Sequence, residues 1–156
     1  MQLIDTHTHL YVQQFENDQD ETIERAIAAN VEKFYLPAID SETHNAMLAL
    51  EAAYPESCYA MMGLHPCSVN ADYEKELKIV EEWLGKRHFC AVGEIGIDLH
   101  WDKSTLNFQE AAFEQQIQWA KEKKLPIAIH VREAFEETLA IIDKLNDDDL
   151  TGVFHC

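Results

Sequence analysis

With 156 residues, 47% of them hydrophobic, the chain can bury one core and is read as a single folded domain over 1–156. Twelve basic residues against twenty-nine acidic ones leave a formal charge of −17, which excludes a nucleic-acid clamp built from basic surface. A polyanion can then be engaged only locally, where bound cations and one or two arginines reverse the potential.

The first apolar run, residues 1–4, reads as a strand ending in Asp5-Thr6-His7-Thr8-His9. A helix is expected over 20–30, opened by Asp20, then a strand over 33–39 that Pro37 brings to its end. Asp40 and Ser41 cap a helix over 42–53 whose inner face is Ala46, Met47, Leu50 and Ala53. A short apolar run over 58–62 stops at Gly63-Leu64-His65-Pro66, and an amphipathic helix follows over 72–86. The fourth strand is expected over 89–92, leading into Gly93-Glu94-Ile95-Gly96-Ile97-Asp98. Thr105 caps the longest helix, over 106–124, which Leu125-Pro126 ends. A fifth strand over 127–131, a helix over 133–145 and a sixth strand over 151–155 complete the pattern.

Short apolar strands alternating with amphipathic helices indicate a parallel sheet buried on both faces. An open doubly wound sheet and a (β/α) barrel both satisfy this. His7 with His9, His65, Glu94, His130 and His155 all fall at the carboxyl ends of different strands. In a barrel those ends converge on one mouth, whereas along an open sheet they are strung out too far to share a cation. A TIM-barrel-type α/β fold is therefore expected. Eight strands take about 250 residues, so this stretch corresponds to the first six, with the barrel not closed.

Imidazoles with one carboxylate suit Zn, Mn, Co or Ni, and there are too many nitrogens for a dedicated Ca or Mg cage. Glu94, with two oxygens, can bridge a pair of ions, and water activated between them becomes a nucleophile near neutral pH. There is no Walker loop, no Rossmann fingerprint and no Gly-x-Ser-x-Gly elbow, which leaves metal-assisted hydrolysis. Asp5 is read as positioning the strand end, or as a hydrogen-bond partner of a ligand histidine. Asp98 is read as capping the Gly-rich turn, and His44, His88 and His100 as surface histidines. Trp83 and Trp119 belong to the core. The lack of a basic-then-apolar leader and of any membrane-length apolar stretch points to a chain with no membrane partner. The cysteines Cys58, Cys67, Cys90 and Cys156 have no CxxC or disulfide-like spacing and suit a reducing, cytoplasmic compartment. No stable protein partner is evident.

Asp5-Thr6-His7-Thr8-His9, Gly63-Leu64-His65-Pro66 and Gly93-Glu94-Ile95-Gly96-Ile97-Asp98 resemble motifs of the TatD family of metal-dependent deoxyribonucleases. So do Gln109-x3-Phe113-x2-Gln116-x3-Ala120, Pro126-x3-His130-x-Arg132 and Phe154-His155-Cys156, in the family's order. The resemblance implies two divalent ions, drawn from Zn, Mn, Mg, Co or Ni, one on His7, His9 and Glu94 and one on Glu94, His130 and His155. It implies Glu94 as the catalytic carboxylate and DNA, or another phosphodiester, as the partner cut by metal-activated water. Arg132 then contacts a phosphate, because guanidinium pairs with phosphate oxygens bidentately, and His65 lies on the substrate side. The family's further Asp ligand, on a later barrel strand, has no counterpart in these residues. Two alternatives stand beside this reading. One is a small-molecule amidohydrolase, whose barrels also open with His-x-His but often carry a carboxylated lysine where this chain has Glu94. The other is a truncated, non-catalytic fragment.

Overall fold

The computed structural model describes residues 1–155. Six strands, β1 (Leu3–Asp5), β2 (Val31–Leu36), β3 (Cys58–Ala60), β4 (Val92–Asp98), β5 (Ile127–Arg132) and β6 (Gly152–His155), alternate with five α-helices. The helices are α1 (Gln19–Ala28), α2 (Ser41–Ala53), α3 (Tyr73–Lys86), α4 (Leu106–Lys123) and α5 (Phe135–Leu145). All strand pairs are parallel, in two sheets ordered β1-β2-β3 and β4-β5-β6. A single parallel bridge, Met62 to Val92, joins them, so the strands run in chain order around an arc. This is the TIM-barrel-type arrangement expected, and it is not closed among the described residues.

β4 is the centre of the arc, with all seven residues buried. The sequence places the end of this strand at Val92, but the glycines of GEIGID continue it to Asp98. A Cβ at Gly93 would sit 2.7 Å from the Ala128 Cβ, and one at Gly96 only 2.0 Å from the His130 carbonyl oxygen. Gly96 also adopts φ +143°, a conformation closed to other residues. Glycine therefore lets β5 close tightly on β4, and the register slips between Val92 and Ile95. Such an irregularity re-aims side chains, and Glu94 lies within it. Its backbone N–H donates to the Ala38 carbonyl at 3.2 Å, while the Ala38 N–H donates to Gly93 at 2.9 Å.

Helix α4 covers β4 with Ala112, Phe113, Ile117 and Ala120 on one stripe. Two buried glutamines share that stripe and act as peptide mimics. Gln109 accepts from the Asp98 N–H (2.7 Å) and donates to the Asp98 carbonyl (2.9 Å). Gln116 does the same to Leu64, at 2.7 and 3.2 Å. The motif read as packing is thus also a backbone clamp.

The remaining elements fall within a few residues of expectation, with two corrections. Helix α1 starts at Gln19, so Asp18 rather than Asp20 holds the cap position, and Asp20 accepts from the Tyr54 hydroxyl instead. His44 is not a surface residue: it is 2% exposed, and neither ring nitrogen has a hydrogen-bond partner. Helix α2 carries it inward beside the buried Met47. His88 and His100 are exposed, and Trp119 is buried. At the ends of the arc β1 and β6 each have one strand neighbour, and Ile4 and Val153 are 53% and 61% exposed.

Candidate metal centre

The expected convergence on one mouth is present, although His7 and His9 do not stand on a strand. β1 ends at Asp5, so His7 and His9 lie beyond it on an irregular segment. That segment is held by the His7 N–H donating to Asp5 Oδ1 (3.2 Å) and the Thr8 N–H donating to the Tyr35 carbonyl (3.0 Å). Asp5 therefore acts on the backbone of His7 and not on its ring.

Glu94, 1% exposed, is the hub. Its Oε2 faces His7 Nε2 at 3.0 Å, His9 Nε2 at 3.4 Å and His65 Nε2 at 3.5 Å, while Oε1 faces His130 Nδ1 at 2.9 Å. Burial pushes this carboxyl up, but the hydrogen bonds from His130, His7 and His9 outweigh it and hold it well below the usual carboxylate range. An ionised carboxylate with almost no exposure is tolerable only because cationic or N–H partners surround it.

The surrounding hydrogen bonds fix how each ring is used. The Tyr11 hydroxyl donates to the Pro37 carbonyl at 2.5 Å, so at 2.9 Å it can only accept from His9 Nδ1. A doubly protonated His9 donates its Nε2–H to Glu94, whereas in the neutral ring the Nε2 lone pair points at the carboxylate. Two acceptors aimed at each other call for a cation between them, and an oriented imidazole is what a metal ligand needs. Burial, with Glu94 and Asp40 adding to it, raises the Tyr11 pKa, so the hydroxyl keeps its proton. His65 Nδ1 accepts from the Cys67 N–H (3.1 Å), leaving the ring proton on Nε2 toward Glu94. Burial brings His65 down to about 4 despite the pull of Glu94, so it is neutral at physiological pH.

His130 is held between two carboxylates, Nδ1 to Glu94 and Nε2 to Asp98 Oδ2, each at 2.9 Å. Burial lowers its pKa, but the hydrogen bonds to Glu94 and Asp98 outweigh it and hold the ring's pKa above the ordinary histidine value. The Gly-rich run that the sequence has Asp98 capping is strand and not turn; Asp98 ends β4, accepts from the His100 N–H at 2.9 Å through Oδ1, and gives its other oxygen to the site. His155 comes to the mouth as well, its ring stacked on His7 with centroids 3.6 Å apart. Arg132 lies at the rim, exposed, with its guanidinium 5.4 Å from the centre of the Trp101 ring, which is 73% exposed.

His7, His9 and Glu94 offer one donor atom each within 4.8 Å of one another. A borderline divalent cation fits this set of two imidazoles and a carboxylate, with positions left for water or substrate. Tyr11, Cys67 and the second role of Asp98 escaped the sequence reading. The His-x-His-x-Tyr spacing is a trace of the first. Nothing in the sequence marks the other two, because the contacts cross from one strand end to another.

A parallel barrel arc with a histidine-ringed, buried carboxylate at the carboxyl ends of its strands defines the scaffold of a barrel-type metallohydrolase. The family model described as "TatD related DNase" matches residues 4–156, and the chain belongs to that family. It is 36% identical over 154 residues to YabD of Bacillus subtilis, described as an uncharacterized metal-dependent hydrolase, covering 99% of this chain and 60% of that protein. It is 28% identical over 154 residues to the 3'-5' ssDNA/RNA exonuclease TatD of Dickeya dadantii, covering 99% and 58%. The crystal structure of YjjV, a TatD homologue from Escherichia coli, superposes with a TM-score of 0.81 at 31% identity, covering 92% of this chain and 56% of that one. The chain thus spans about 60% of the length of the relatives it matches. No helix among the described residues is long and apolar enough to cross a membrane.

Proposed function

We propose that the chain is the greater part of a single-domain metal-dependent phosphodiesterase whose substrate is nucleic acid, most readily single-stranded DNA. The observation that carries this is the Glu94 cluster, in which two imidazoles, His7 and His9, and one buried carboxylate each offer a donor atom within 4.8 Å of one another. In this reading His7, His9 and Glu94 hold one divalent ion, and Glu94, His130 and His155 hold a second. Ions so held would supply Lewis acidity and lower the pKa of water at the mouth.

The chain's own groups do the rest. Glu94 fixes the position of the cations. Its burial denies it any competing role with solvent. His65, neutral and with its proton on Nε2, can donate a hydrogen bond to a substrate oxygen approaching the mouth. Arg132 pairs with a backbone phosphate at the rim and compensates locally for the −17 charge elsewhere. The nuclease names of relatives such as the Dickeya protein support the choice of substrate. A reducing, cytoplasmic setting is consistent with Cys58, Cys67 and Cys90, which are all free thiols.

The test is cleavage of end-labelled single-stranded DNA with Mn2+, Mg2+, Co2+ or Zn2+, with cyclic amides assayed in parallel. Cation-dependent shortening of the DNA is expected, abolished by chelation and reduced by orders of magnitude in Glu94→Gln, which loses a charge and a ligand oxygen. Arg132→Ala should weaken substrate binding and leave metal content intact. Turnover of cyclic amides with no DNA cleavage under any cation would replace this reading with the amidohydrolase one.

A further inference from the structure

Beside the Glu94 cluster lies a second group of donors, which shares His65 and His130 with the proposed reaction and adds Cys67 and Asp98, residues that reaction does not use. His65, Cys67 and His130 each offer one donor atom within 4.8 Å of one another. Asp98 Oδ2 joins them, 3.4 Å from Cys67 Sγ and 2.9 Å from His130 Nε2. We propose that these four residues form a separate site for a single thiophilic cation, of which Zn2+ is the type.

The donor set is one sulfur, two imidazole nitrogens and one carboxylate oxygen, which is a four-coordinate zinc set by chemistry and by number. Sulfur is absent from the Glu94 cluster, so the two sites differ in the metals they favour: thiolate selects soft cations, carboxylate and imidazole the harder ones. The geometry keeps them apart as well. His130 turns Nδ1 to Glu94 and Nε2 to Asp98, so one ring faces both groups through different atoms.

Proton and charge accounts balance. The Cys67 thiol donates to Asp98 Oδ2, and His130 Nε2 lies 2.9 Å from the same oxygen. Asp98, 2% exposed, thus collects both contacts on a single buried oxygen. A dication placed there displaces the thiol proton, and any proton on His130 Nε2, to solvent and sits against the charges of one thiolate and one carboxylate. Access is open, because Cys67 is exposed on the short turn Pro66–Ser68. His130 offers Nε2 here and Nδ1 to the Glu94 side, and a neutral imidazole has one lone pair to give, so a soft cation at this site competes with the second ion of the hydrolytic pair.

Titration of the metal-free chain with Co2+ tests the proposal without reference to activity. Thiolate coordination gives a sulfur-to-cobalt charge-transfer band in the near ultraviolet, and four-coordinate geometry gives intense visible bands. Both are expected in the unaltered chain. Cys67→Ser and Cys67→Ala should each lose the near-ultraviolet band with unchanged far-ultraviolet circular dichroism. Cys58→Ser, Cys90→Ser and Cys156→Ser should keep it. His65→Ala should weaken the Co2+ affinity read from that band by about tenfold or more. Glu94→Gln should retain the band, which separates this site from the hydrolytic reading. Absence of the band at saturating Co2+, or its persistence in both Cys67 variants, overturns the proposal.

Discussion

Replacing Gln116 by leucine tests whether α4 holds the mouth through hydrogen bonds or through packing alone. Gln116 is 1% exposed and makes both of its bonds to Leu64, itself 1% exposed and next to His65 in the chain. Leucine has a similar volume, so the cavity contribution is small. What remains is a buried peptide N–H and a buried C=O, each stripped of its partner at a cost of about 1–3 kcal/mol, less the modest gain from burying a more apolar side chain. A loss of about 2–4 kcal/mol follows. For a chain of this size each kcal/mol shifts the melting temperature by about 2–4 °C, so 3 kcal/mol corresponds to about 6–12 °C. Urea unfolding followed by tryptophan fluorescence measures the first number and calorimetry the second. Gln116→Glu should do comparable damage for a different reason: it keeps an acceptor for the Leu64 N–H but buries a charge. A loss below about 0.5 kcal/mol in Gln116→Leu would mean that water reaches Leu64 and that the clamp is not a clamp.

Other outcomes follow from the same structure. Tyr11→Phe frees His9 Nδ1 and the Pro37 carbonyl, and should cut cation affinity by about 10–100-fold in chelator competition; unchanged affinity would show that the tautomer is set otherwise. Burial lowers the His44 pKa below its ordinary 6.5 against the opposing pull of the Gly63 backbone, Glu76 and Asp40. The unfolded chain therefore takes up the proton first, so stability falls as pH drops through 6.5 and levels off only below the folded-state pKa. His44→Leu should be more stable at neutral pH and flatter toward about pH 5 in paired urea titrations; parallel curves would refute this. Ile4 and Val153, 53% and 61% exposed on strands with one neighbour, should make the chain self-associate. Ile4→Lys with Val153→Lys should reduce that association in light scattering, and a monodisperse unaltered chain would contradict it.

The alternation of strands and helices is legible because each strand is a continuous apolar run and each helix an amphipathic one. The mouth is legible because ligand-type residues come after apolar runs, as His65, Glu94, His130 and His155 do, although Glu94 and His130 lie inside β4 and β5 and do not end them. Boundaries fail where local and tertiary signals diverge. Gly93 and Gly96 read as a turn, yet the approach of β5 requires them inside a strand. His7 and His9 keep the spacing of a strand without being in one. His44 is polar on a helix and reads as exposed, but packing carries it inward with both nitrogens unpartnered. The links from Asp98 to His130 and Cys67 span 32 and 31 positions, and no short-range pattern reports a contact of that separation.

The arc of strands grades from a rigid centre to loose ends, and the mouth straddles that gradient. Glu94 and Asp98 stand on β4, buried throughout and flanked by β5 and α4. His7 and His9 stand beyond β1, and His155 ends β6, a strand exposed at every residue. Amide protons of β4 should therefore be among the slowest to exchange and those of residues 3–5 and 152–155 among the fastest. A cation held, as proposed, by His7, His9 and Glu94 would work as a clasp, tying a fraying margin of the sheet to its stiffest strand. Its removal should show first in faster exchange over residues 3–9, with β4 almost unchanged, so that metal occupancy sets how far the margin of the mouth opens and closes.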